Sequence, residues 1–370
     1  MEANGLGVGF LVVGAGFLGA QRAAAIMASR GCRLVAVHDA NAEVARVVAR
    51  QHGVRVAGDY ASALAWDEID AVVIATPHTD HFDQARLALE AGKAVLCEKP
   101  LTVRPEEARQ LAVRADELQL RLATGLNHRF YPPIRDALAL VKDWAIGRVE
   151  SVEAVIGHMA SPEFLKSWHT DFARSGGGTL MDNGPHACDL VRRFLGEVVA
   201  VRGSVDNPLG LPDGCESEAT AWFRDRDRGT AEVRSSWALP KGYLTIDIRG
   251  TEGHLHLETA PWRLTGVLET GRRISKRYLA ERVSERRFRG IFNCERSLVR
   301  ELEAFVTDSS ARQPRLEASG WDGCRVTEMI DAVYRSSALG AEVALGQSQV
   351  PLPAGERLGL GLGLAKESWG

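Results

Sequence analysis

Lys99 is the first residue whose type and position suggest chemistry. It lies in the triplet Glu98-Lys99-Pro100, which directly follows the apolar run 94–97. A buried strand that ends in a charged pair places that pair at the edge of the sheet where ligands bind. An ammonium group there can donate a hydrogen bond to a reacting oxygen and stabilise its developing negative charge. The triplet is equally compatible with an ordinary surface ion pair at a strand end.

Asp182 and His186 form a second candidate pair. They are four residues apart, so they share one face if the segment is helical. A carboxylate beside an imidazole fixes the orientation of the ring and raises its pKa, which suits a general acid or base near neutral pH. The glycines at 176–178 are expected to let the backbone and a ligand come close. The alternative is a histidine buried at a helix start, with the aspartate as a cap.

The third candidate is the glycine-rich turn at 14–19, Gly-Ala-Gly-Phe-Leu-Gly, which follows an apolar run. Between a strand and a helix, Gly14 permits a tight turn, Gly16 lets the backbone approach a pyrophosphate, and Gly19 allows close helix packing. Asp39 ends the next strand, 25 residues after Gly14. A carboxylate there accepts hydrogen bonds from a ribose 2′-OH and repels a 2′-phosphate, which favours NAD over NADP. A purely structural turn is the alternative.

The elements that must position these residues alternate through the first 125 residues. Short apolar strands are separated by helical segments, and the links between them are short. This rhythm predicts an α/β fold with a parallel, doubly wound sheet covered on both faces. The expected strands are Val8–Val13, Leu34–Val37, Ala71–Ala75, Ala94–Cys97 and Arg121–Thr124.

The pattern changes after residue 127. Helical segments are now mixed with alternating segments, and pairs of these meet at turns at 225–228 and 250–253, which predicts antiparallel hairpins. We therefore expect an α+β domain with a mostly antiparallel open sheet. The predicted organisation is a dinucleotide-binding domain at 1–127, a substrate and oligomerisation domain at 128–349, and a Gly/Pro-rich C-terminal tail at 350–370.

Composition excludes several classes of protein. The 370 residues carry 45 basic and 48 acidic side chains, a net charge of −3, so nothing global draws the chain to nucleic acid or to an anionic membrane. No run reaches the ~18 apolar residues of a membrane span, and no signal-peptide pattern precedes the glycine turn. The six cysteines form no close pair, which predicts neither a disulfide framework nor a metal site. We expect a cytoplasmic protein with reduced thiols.

Two further stretches bear on the substrate. Trp168 and His169 precede the glycine run, and an aromatic ring beside hydrogen-bonding groups suits a polyhydroxylated ligand such as a sugar. A surface loop with a packed tryptophan explains them equally well. Residues 271–289 hold eight basic and two acidic side chains. That segment could recruit a phosphate or nucleotide on the substrate, but a solvated charged face is the preferred interpretation.

In this order the motifs resemble the Gfo/Idh/MocA family, which contains glucose–fructose oxidoreductase, inositol dehydrogenase and their sugar- and polyol-oxidising relatives. The resemblance covers about residues 8–349. Its pieces are the turn at 14–19, Ala75-Thr76-Pro77 with His81, Ala91-Gly92-Lys93 with Cys97-Glu98-Lys99-Pro100, and Gly176-Gly177-Gly178 with Asp182, Gly184, His186, Asp189 and Leu190. It implies a Rossmann domain followed by a domain whose large open sheet forms homodimers or homotetramers.

The resemblance also implies roles for individual residues. It assigns catalysis to Lys99, Asp182 and His186. The expected cofactor contacts are Gly14, Gly16, Phe17, Leu18, Gly19, Asp39, Thr76, Pro77, His81, Glu98 and Lys99. The expected substrate contacts are Lys99, Asn127, Arg129, Trp168, His169, Asp182, Asn183 and His186, and no metal is expected.

The implied activity is hydride transfer between NAD and a secondary alcohol of a sugar, a sugar derivative or a cyclitol. In this hypothesis His186, oriented by Asp182, removes the hydroxyl proton while Lys99 hydrogen-bonds the same oxygen. Two alternatives use the same parts. One is transient oxidation of a glycoside followed by elimination and re-reduction, and the other is a regulator that binds NAD and a sugar without turnover.

Overall fold

The computed structural model describes residues 7–307 and 317–346, which form two sheets and the helices that cover them. The tail predicted at 350–370 lies outside the described residues. The helices are α1 (Phe17–Ala28), α2 (Ala42–His52), α3 (Tyr60–Leu64), α4 (His81–Glu90), α5 (Pro105–Glu117), α6 (Pro132–Lys142), α7 (Phe172–Ser175), α8 (Thr179–Asp182), α9 (Gly184–Leu195), α10 (Leu279–Phe292), α11 (Arg296–Thr307) and α12 (Gly320–Leu339).

The first sheet confirms the predicted doubly wound fold. Its strands are β1 (Val8–Val13), β2 (Cys32–His38), β3 (Arg55–Val56), β4 (Ala71–Ile74), β5 (Ala94–Glu98) and β6 (Leu122–Gly125). They lie in the order β3-β2-β1-β4-β5-β6, and every pair is parallel. All residues of β1 and β4 are buried, as expected for strands that helices cover on both faces.

The order of this sheet reverses between β1 and β4, which are neighbours although two strands separate them in the chain. In such sheets a ligand binds beyond the carboxyl ends of the strands at this point. The glycine turn follows β1, Thr76 follows β4, and Lys99 follows β5. Because parallel strands end at one edge, three separate predictions about the site converge there.

The second sheet has nine strands and confirms the predicted α+β domain. They are β7 (Val149–Met159), β8 (Val198–Asp206), β9 (Glu218–Asp225), β10 (Thr230–Ser236), β11 (Ala238–Gly250), β12 (His254–Thr259), β13 (Trp262–Val267), β14 (Arg273–Lys276) and β15 (Val343–Ala344). Their order is β14-β13-β12-β11-β7-β10-β9-β8-β15, and among the described strands of this sheet only β7 and β10 pair in parallel. Both expected hairpins are present, β9–β10 and β11–β12.

The nine-stranded sheet is covered on one face. Buried and more exposed residues alternate along β9, and its buried side chains belong to the core that α9 and α12 share with the sheet. This alternation is typical of an antiparallel sheet with one face packed and the other open. The open face is therefore a broad surface on the second domain.

Helix α11 joins the two domains. Although it follows the second sheet in the chain, Leu298, Leu302 and Phe305 are buried against the first domain, where the Phe305 ring lies 6.2 Å from the Phe10 ring. The predicted boundary at residue 127 divides the chain by sequence position. Residues 296–307 come after that boundary but pack as part of the first domain.

Three structural features concern the classes of protein considered from the composition. None of the helices in residues 7–307 and 317–346 is both long and apolar enough to cross a membrane. All six cysteines carry free thiols. Within the same described ranges, no three histidine, cysteine or acidic side chains gather in a way that could hold a metal ion.

Candidate active site

The glycine turn after β1 leaves space for a ligand. Gly14 has a φ of +82°, and a Cβ there would lie 2.6 Å from the carbonyl oxygen of Ala75, so only glycine is tolerated. A Cβ on Gly19 would lie 1.7 Å from the Gly14 carbonyl oxygen. A Cβ on Gly16, by contrast, would meet nothing within 4 Å. The space above Gly16 lies at the N-terminus of α1, where backbone N–H groups favour a phosphate.

Asp39 lies directly beside this turn. Its carboxylate accepts a 2.7 Å hydrogen bond from the backbone N–H of Ala15 and a 2.8 Å bond from that of Asn41. The side chain is half-buried and is placed where the ribose next to the pyrophosphate would lie. Phe17 and Leu18 open helix α1, and the Phe17 ring is 86% exposed. The turn and the carboxylate thus fit a dinucleotide.

His81 does not face this space. It is fully buried, and its ring nitrogens lie 2.8 Å from the carbonyl oxygen of Pro100 and 3.0 Å from that of Thr76. Both nitrogens thus lie against carbonyl oxygens of the protein, and the contact of His81 with the cofactor stays a prediction. The ring instead joins the loop after β4 to the loop after β5. Thr76 and Pro77 remain half-buried at the edge of the sheet.

Glu98 also has partners within the protein. It is buried, and one carboxylate oxygen accepts a 2.6 Å hydrogen bond from Nε of Arg22 on α1. Its other oxygen accepts a 3.3 Å bond from the backbone N–H of Lys99. On the far side Arg22 pairs with Glu301 of α11 at 2.6 Å. The Glu98 carboxylate thus binds Arg22 and the Lys99 backbone, and its contact with the cofactor stays a prediction.

Lys99 reaches across to the second domain. Its Nζ lies 2.9 Å from Oδ1 of Asp182 and 2.8 Å from the Asp182 backbone carbonyl oxygen. Burial disfavours the charged carboxylate, but the Lys99 ammonium and the neighbouring His169 and His78 hold the Asp182 pKa well below its ordinary value. An ammonium has three donors, so two are used here and the third is left for a ligand.

His186 does not pair with Asp182, which corrects the predicted dyad. Its ring stacks on His128 with centroids 3.8 Å apart, and Nδ1 of each ring is buried without a hydrogen-bond partner. Burial, then His128, Lys99 and Arg22, hold the His186 pKa well below its usual range. The prediction of a raised pKa is therefore wrong. The ring beside Lys99 is therefore neutral, and its surroundings oppose the gain of a proton.

Aromatic rings and histidines surround the Lys99–Asp182 pair. Trp168 stacks on His169 with centroids 3.9 Å apart and meets the edge of His78 at 4.9 Å. Burial is the first cause that lowers the His169 pKa, and the opposed charges of Asp182 and Lys99 also act on the ring. The structure thus brings the predicted Trp168 and His169 to the site. Sequence reasoning missed His78, although it follows directly after the motif residue Pro77.

Arg129 is buried among its own hydrogen-bond acceptors. It is 4% exposed and donates to Asp189, to Asp322 of α12 and to the carbonyl oxygen of Glu317. Every nitrogen of the guanidinium makes at least one of these bonds, and the contact of Arg129 with a substrate stays a prediction. Asn127 donates a 3.0 Å hydrogen bond to Ser297.

The glycines at 176–178 serve packing rather than a ligand, which corrects another expectation. A Cβ on Gly178 would lie 1.8 Å from the carbonyl oxygen of Glu216. The buried Glu216 carboxylate accepts hydrogen bonds from the backbone N–H groups of Gly178 (2.9 Å) and Leu180 (2.7 Å). This carboxylate anchors the segment that carries Asp182 and Asn183. The Asn183 amide donates to Thr179 at 3.2 Å.

Comparison with known proteins identifies the family. One family model, described as an oxidoreductase family with an NAD-binding Rossmann fold, matches residues 8–126, and its companion, the GFO/IDH/MocA C-terminal domain, matches residues 134–256. The inositol 2-dehydrogenase of Rhizobium meliloti (strain 1021) is 28% identical over 346 residues, which cover 91% of this chain and 99% of that protein.

Solved structures agree with this match. GenD2 from gentamicin A biosynthesis, in complex with NAD, has a TM-score of 0.77 at 30% identity and covers 92% of this chain and 97% of its own. Levoglucosan dehydrogenase in complex with NADH and L-sorbose has a TM-score of 0.82 and covers 92% of this chain and all of its own, at 23% identity that shows the fold alone. The chain belongs to the Gfo/Idh/MocA family of oxidoreductases, and its first domain is their NAD-binding Rossmann fold.

Proposed function

We propose that this protein is an NAD-dependent dehydrogenase that acts on a secondary alcohol of a sugar or cyclitol. One observation carries the proposal. Lys99 from the Rossmann domain meets Asp182 from the second domain at 2.9 Å, with the neutral His186 nearby, at the sheet edge that also holds the glycine turn. A charged donor and a neutral base beside a nicotinamide site are what alcohol oxidation requires.

Each of these residues has a distinct part. Bound NAD supplies the hydride acceptor. The third N–H of Lys99 donates a hydrogen bond to the alcohol oxygen and stabilises the negative charge that develops on it. His186 accepts the hydroxyl proton in this proposal, because its ring is neutral, although the lowered pKa makes it a weaker base than an ordinary histidine. Asp182 is a positioning residue whose carboxylate holds the Lys99 side chain in place.

The surroundings favour a polyhydroxylated substrate. Trp168 offers an aromatic surface, and His169 and Asn183 are half-buried polar groups close to Asp182. Such a combination suits the alternating apolar and hydroxyl-bearing faces of a sugar ring. The names of relatives agree, since these include inositol 2-dehydrogenase, scyllo-inositol 2-dehydrogenase (NAD(+)) and levoglucosan dehydrogenase.

Asp39 supports NAD over NADP as the cofactor. Its carboxylate lies beside the turn at Ala15, where a 2′-phosphate would meet a negative charge. We also infer that the open face of the nine-stranded sheet forms a homodimer or homotetramer, because a face of that size is typical of an interface. The free thiols favour a cytoplasmic location.

A substrate survey tests the proposal. Purified protein with NAD is offered inositols, free sugars and glycosides, and NADH formation is measured by absorbance. Accumulation of NADH with a sugar or cyclitol supports the dehydrogenase, and Lys99→Met is expected to lower that rate by about 10²–10³-fold. Conversion of a glycoside without NADH accumulation would instead indicate transient oxidation and re-reduction. NAD binding without turnover of any compound would indicate a regulator.

A further inference from the structure

A cavity of about 310 Å³ lies next to the active site but is not used by the proposed mechanism. It is enclosed by helix α10, the start of α11, the segment 130–132 and Trp262 of β13. Tyr131 forms its wall towards the active site, and the Tyr131 ring stacks on His128 at 4.7 Å, which in turn stacks on His186. The cavity is therefore two ring contacts away from the proposed base.

Two arginines that line this cavity have no acidic partner within the described chain. The guanidinium of Arg296 lies 4.6 Å over the Phe288 ring, and its Nε is buried without a hydrogen-bond partner. Arg300 donates one 3.1 Å hydrogen bond to the carbonyl oxygen of Phe130. Burial, and then the nearby cations Arg135 and Arg296, lower the Arg300 pKa, and the charges of Glu285 and Glu303 oppose that shift only in part. These cations repel one another, so an anion between them would relieve the repulsion.

The carboxylates of the cavity offset these cations only in part, since Glu285 acts on the charge of Arg300 without forming an ion pair with it. Glu285 is buried, and it already accepts hydrogen bonds from Arg289 Nε (3.3 Å) and from the backbone N–H of Arg296 (3.1 Å). Glu281 is half-buried and can accept from a ligand hydroxyl. Beside it, Trp262 offers a ring against which a sugar can pack. The lining thus combines free cations with an acceptor and an aromatic surface.

We propose that this cavity is an anion-binding site, in which Arg296 and Arg300 donate to a phosphate or carboxylate. Guanidinium groups bind such planar or tetrahedral oxyanions through paired N–H donors. The anion has two possible sources. It is either the acidic group of the substrate, in which case the inference rests on the proposed function and names an acidic or phosphorylated sugar, or a separate small anion.

The site differs from the basic segment that stands out in the sequence. The arginines of 271–289 that lie on α10, such as Arg282, are exposed at the surface, whereas Arg296 and Arg300 come from α11. This contrast provides a matched control. Arg282→Gln removes the same charge from the same region without touching the cavity.

Binding of inorganic phosphate tests the site without any turnover. The full-length protein is titrated by calorimetry at constant ionic strength, with chloride as the balancing ion. Phosphate is expected to bind the parent and Arg282→Gln alike, and about tenfold or more weakly to Arg300→Gln and Arg296→Gln. Arg300→Lys keeps the positive charge but loses the paired N–H donors of the guanidinium, so an intermediate affinity for phosphate is expected. Absence of binding to the parent, or equal binding to all variants, overturns the proposal.

A paired activity assay distinguishes the two sources. Neutral sugars are compared with their phosphorylated or carboxylated forms as substrates of the parent and of Arg300→Gln. A KM at least tenfold lower for the acidic form, lost in Arg300→Gln but kept in Arg282→Gln, identifies the substrate as the source. Phosphate binding without such a preference identifies a separate anion. Because the calorimetry needs no substrate, its failure leaves the proposed dehydrogenase activity untouched.

Discussion

Two charged clusters at the junction of the domains behave in opposite ways. Lys99 and Asp182 are half-buried, and their 2.9 Å contact leaves one ammonium donor unused. Arg129, a few residues past β6, is also paired with aspartates of the second domain, but it is buried and each of its nitrogens is engaged. Both clusters join elements that are distant in the chain. The first leaves a donor for a ligand, and the second joins parts of the fold.

The difference is one of unused hydrogen-bonding capacity rather than of charge or residue type. A motif can mark a lysine and an arginine equally, but a buried guanidinium whose partners are complete has nothing left to offer. A charge in such a place stabilises the fold, because its removal would leave the partner charges buried and unpaired. Chemistry is therefore expected where the structure leaves donors or acceptors free, as at Lys99 and His186.

The largest expected effect is on turnover. His186→Ala removes the proposed base, so turnover should fall by about 10²–10⁴-fold. The free energy of unfolding and NAD affinity should change little, because the ring donates no hydrogen bond within the described chain. Steady-state kinetics, NAD titration and urea unfolding measure all three. His52→Ala, near the end of helix α2, is the control, and equal activity of the two variants would remove His186 from the mechanism.

The next effect concerns stability. Arg129→Met leaves Asp189 buried without its cation, while Asp322 keeps Arg192, and the free energy of unfolding should fall by about 3–5 kcal/mol. The exposed Arg234→Met should cost about 1 kcal/mol or less. Urea unfolding compares the two. A stable Arg129→Met protein with a raised KM would show instead that Arg129 contacts substrate.

A smaller effect is expected at the cofactor site. Asp39→Ala removes the acceptor beside the turn, so NAD should bind about tenfold more weakly and the preference over NADP should narrow. Asp39→Asn keeps an acceptor for the Ala15 N–H but loses the charge. Comparison of the two variants therefore separates the contribution of the hydrogen bond from that of the charge. Fluorescence titration with both cofactors measures them. Unchanged or tighter NAD binding by Asp39→Ala would contradict the assignment.

The smallest effect is a pH dependence in the cluster behind Lys99. Burial raises the Glu301 pKa to about 7, because Arg22 is shared with Glu98 and one Glu301 oxygen is buried without a partner. The folded state then holds a proton that the unfolded chain releases above its ordinary pKa of 4.5. The contribution of Glu301 to the free energy of unfolding is therefore complete below pH 4.5 and is lost as the pH rises to about 7.

Glu301→Gln removes this proton uptake. Relative to the parent, the variant should therefore gain stability between pH 5 and 7, by at most ~1.4 kcal/mol per pH unit. Urea unfolding at several pH values measures the difference, in which the opposite contribution of the buried histidines cancels. A constant difference over this range would show that Glu301 stays ionised.

The Rossmann domain was largely predictable from the sequence. Its strands are continuous apolar runs, and the glycine turn is specified within six residues, so local patterns were sufficient. The second sheet was predictable in class and in its two hairpins, but its parallel β7–β10 pair and the return of α11 to the first domain were not. Those pairings depend on contacts between residues far apart in the chain.

Residue types and spacing alone thus determined the fold class, the cofactor turn and the importance of Lys99, Asp182 and His186. Only the tertiary structure decided which partner each side chain takes. Asp182 binds a lysine 83 residues away rather than the histidine four residues away, and Arg22 binds a glutamate 279 residues away. Burial is the physical reason for these pairings. An ionised group that is removed from water must be paired with whichever partner the fold brings close. The distance between the two residues in the chain does not enter the free energy of that pairing.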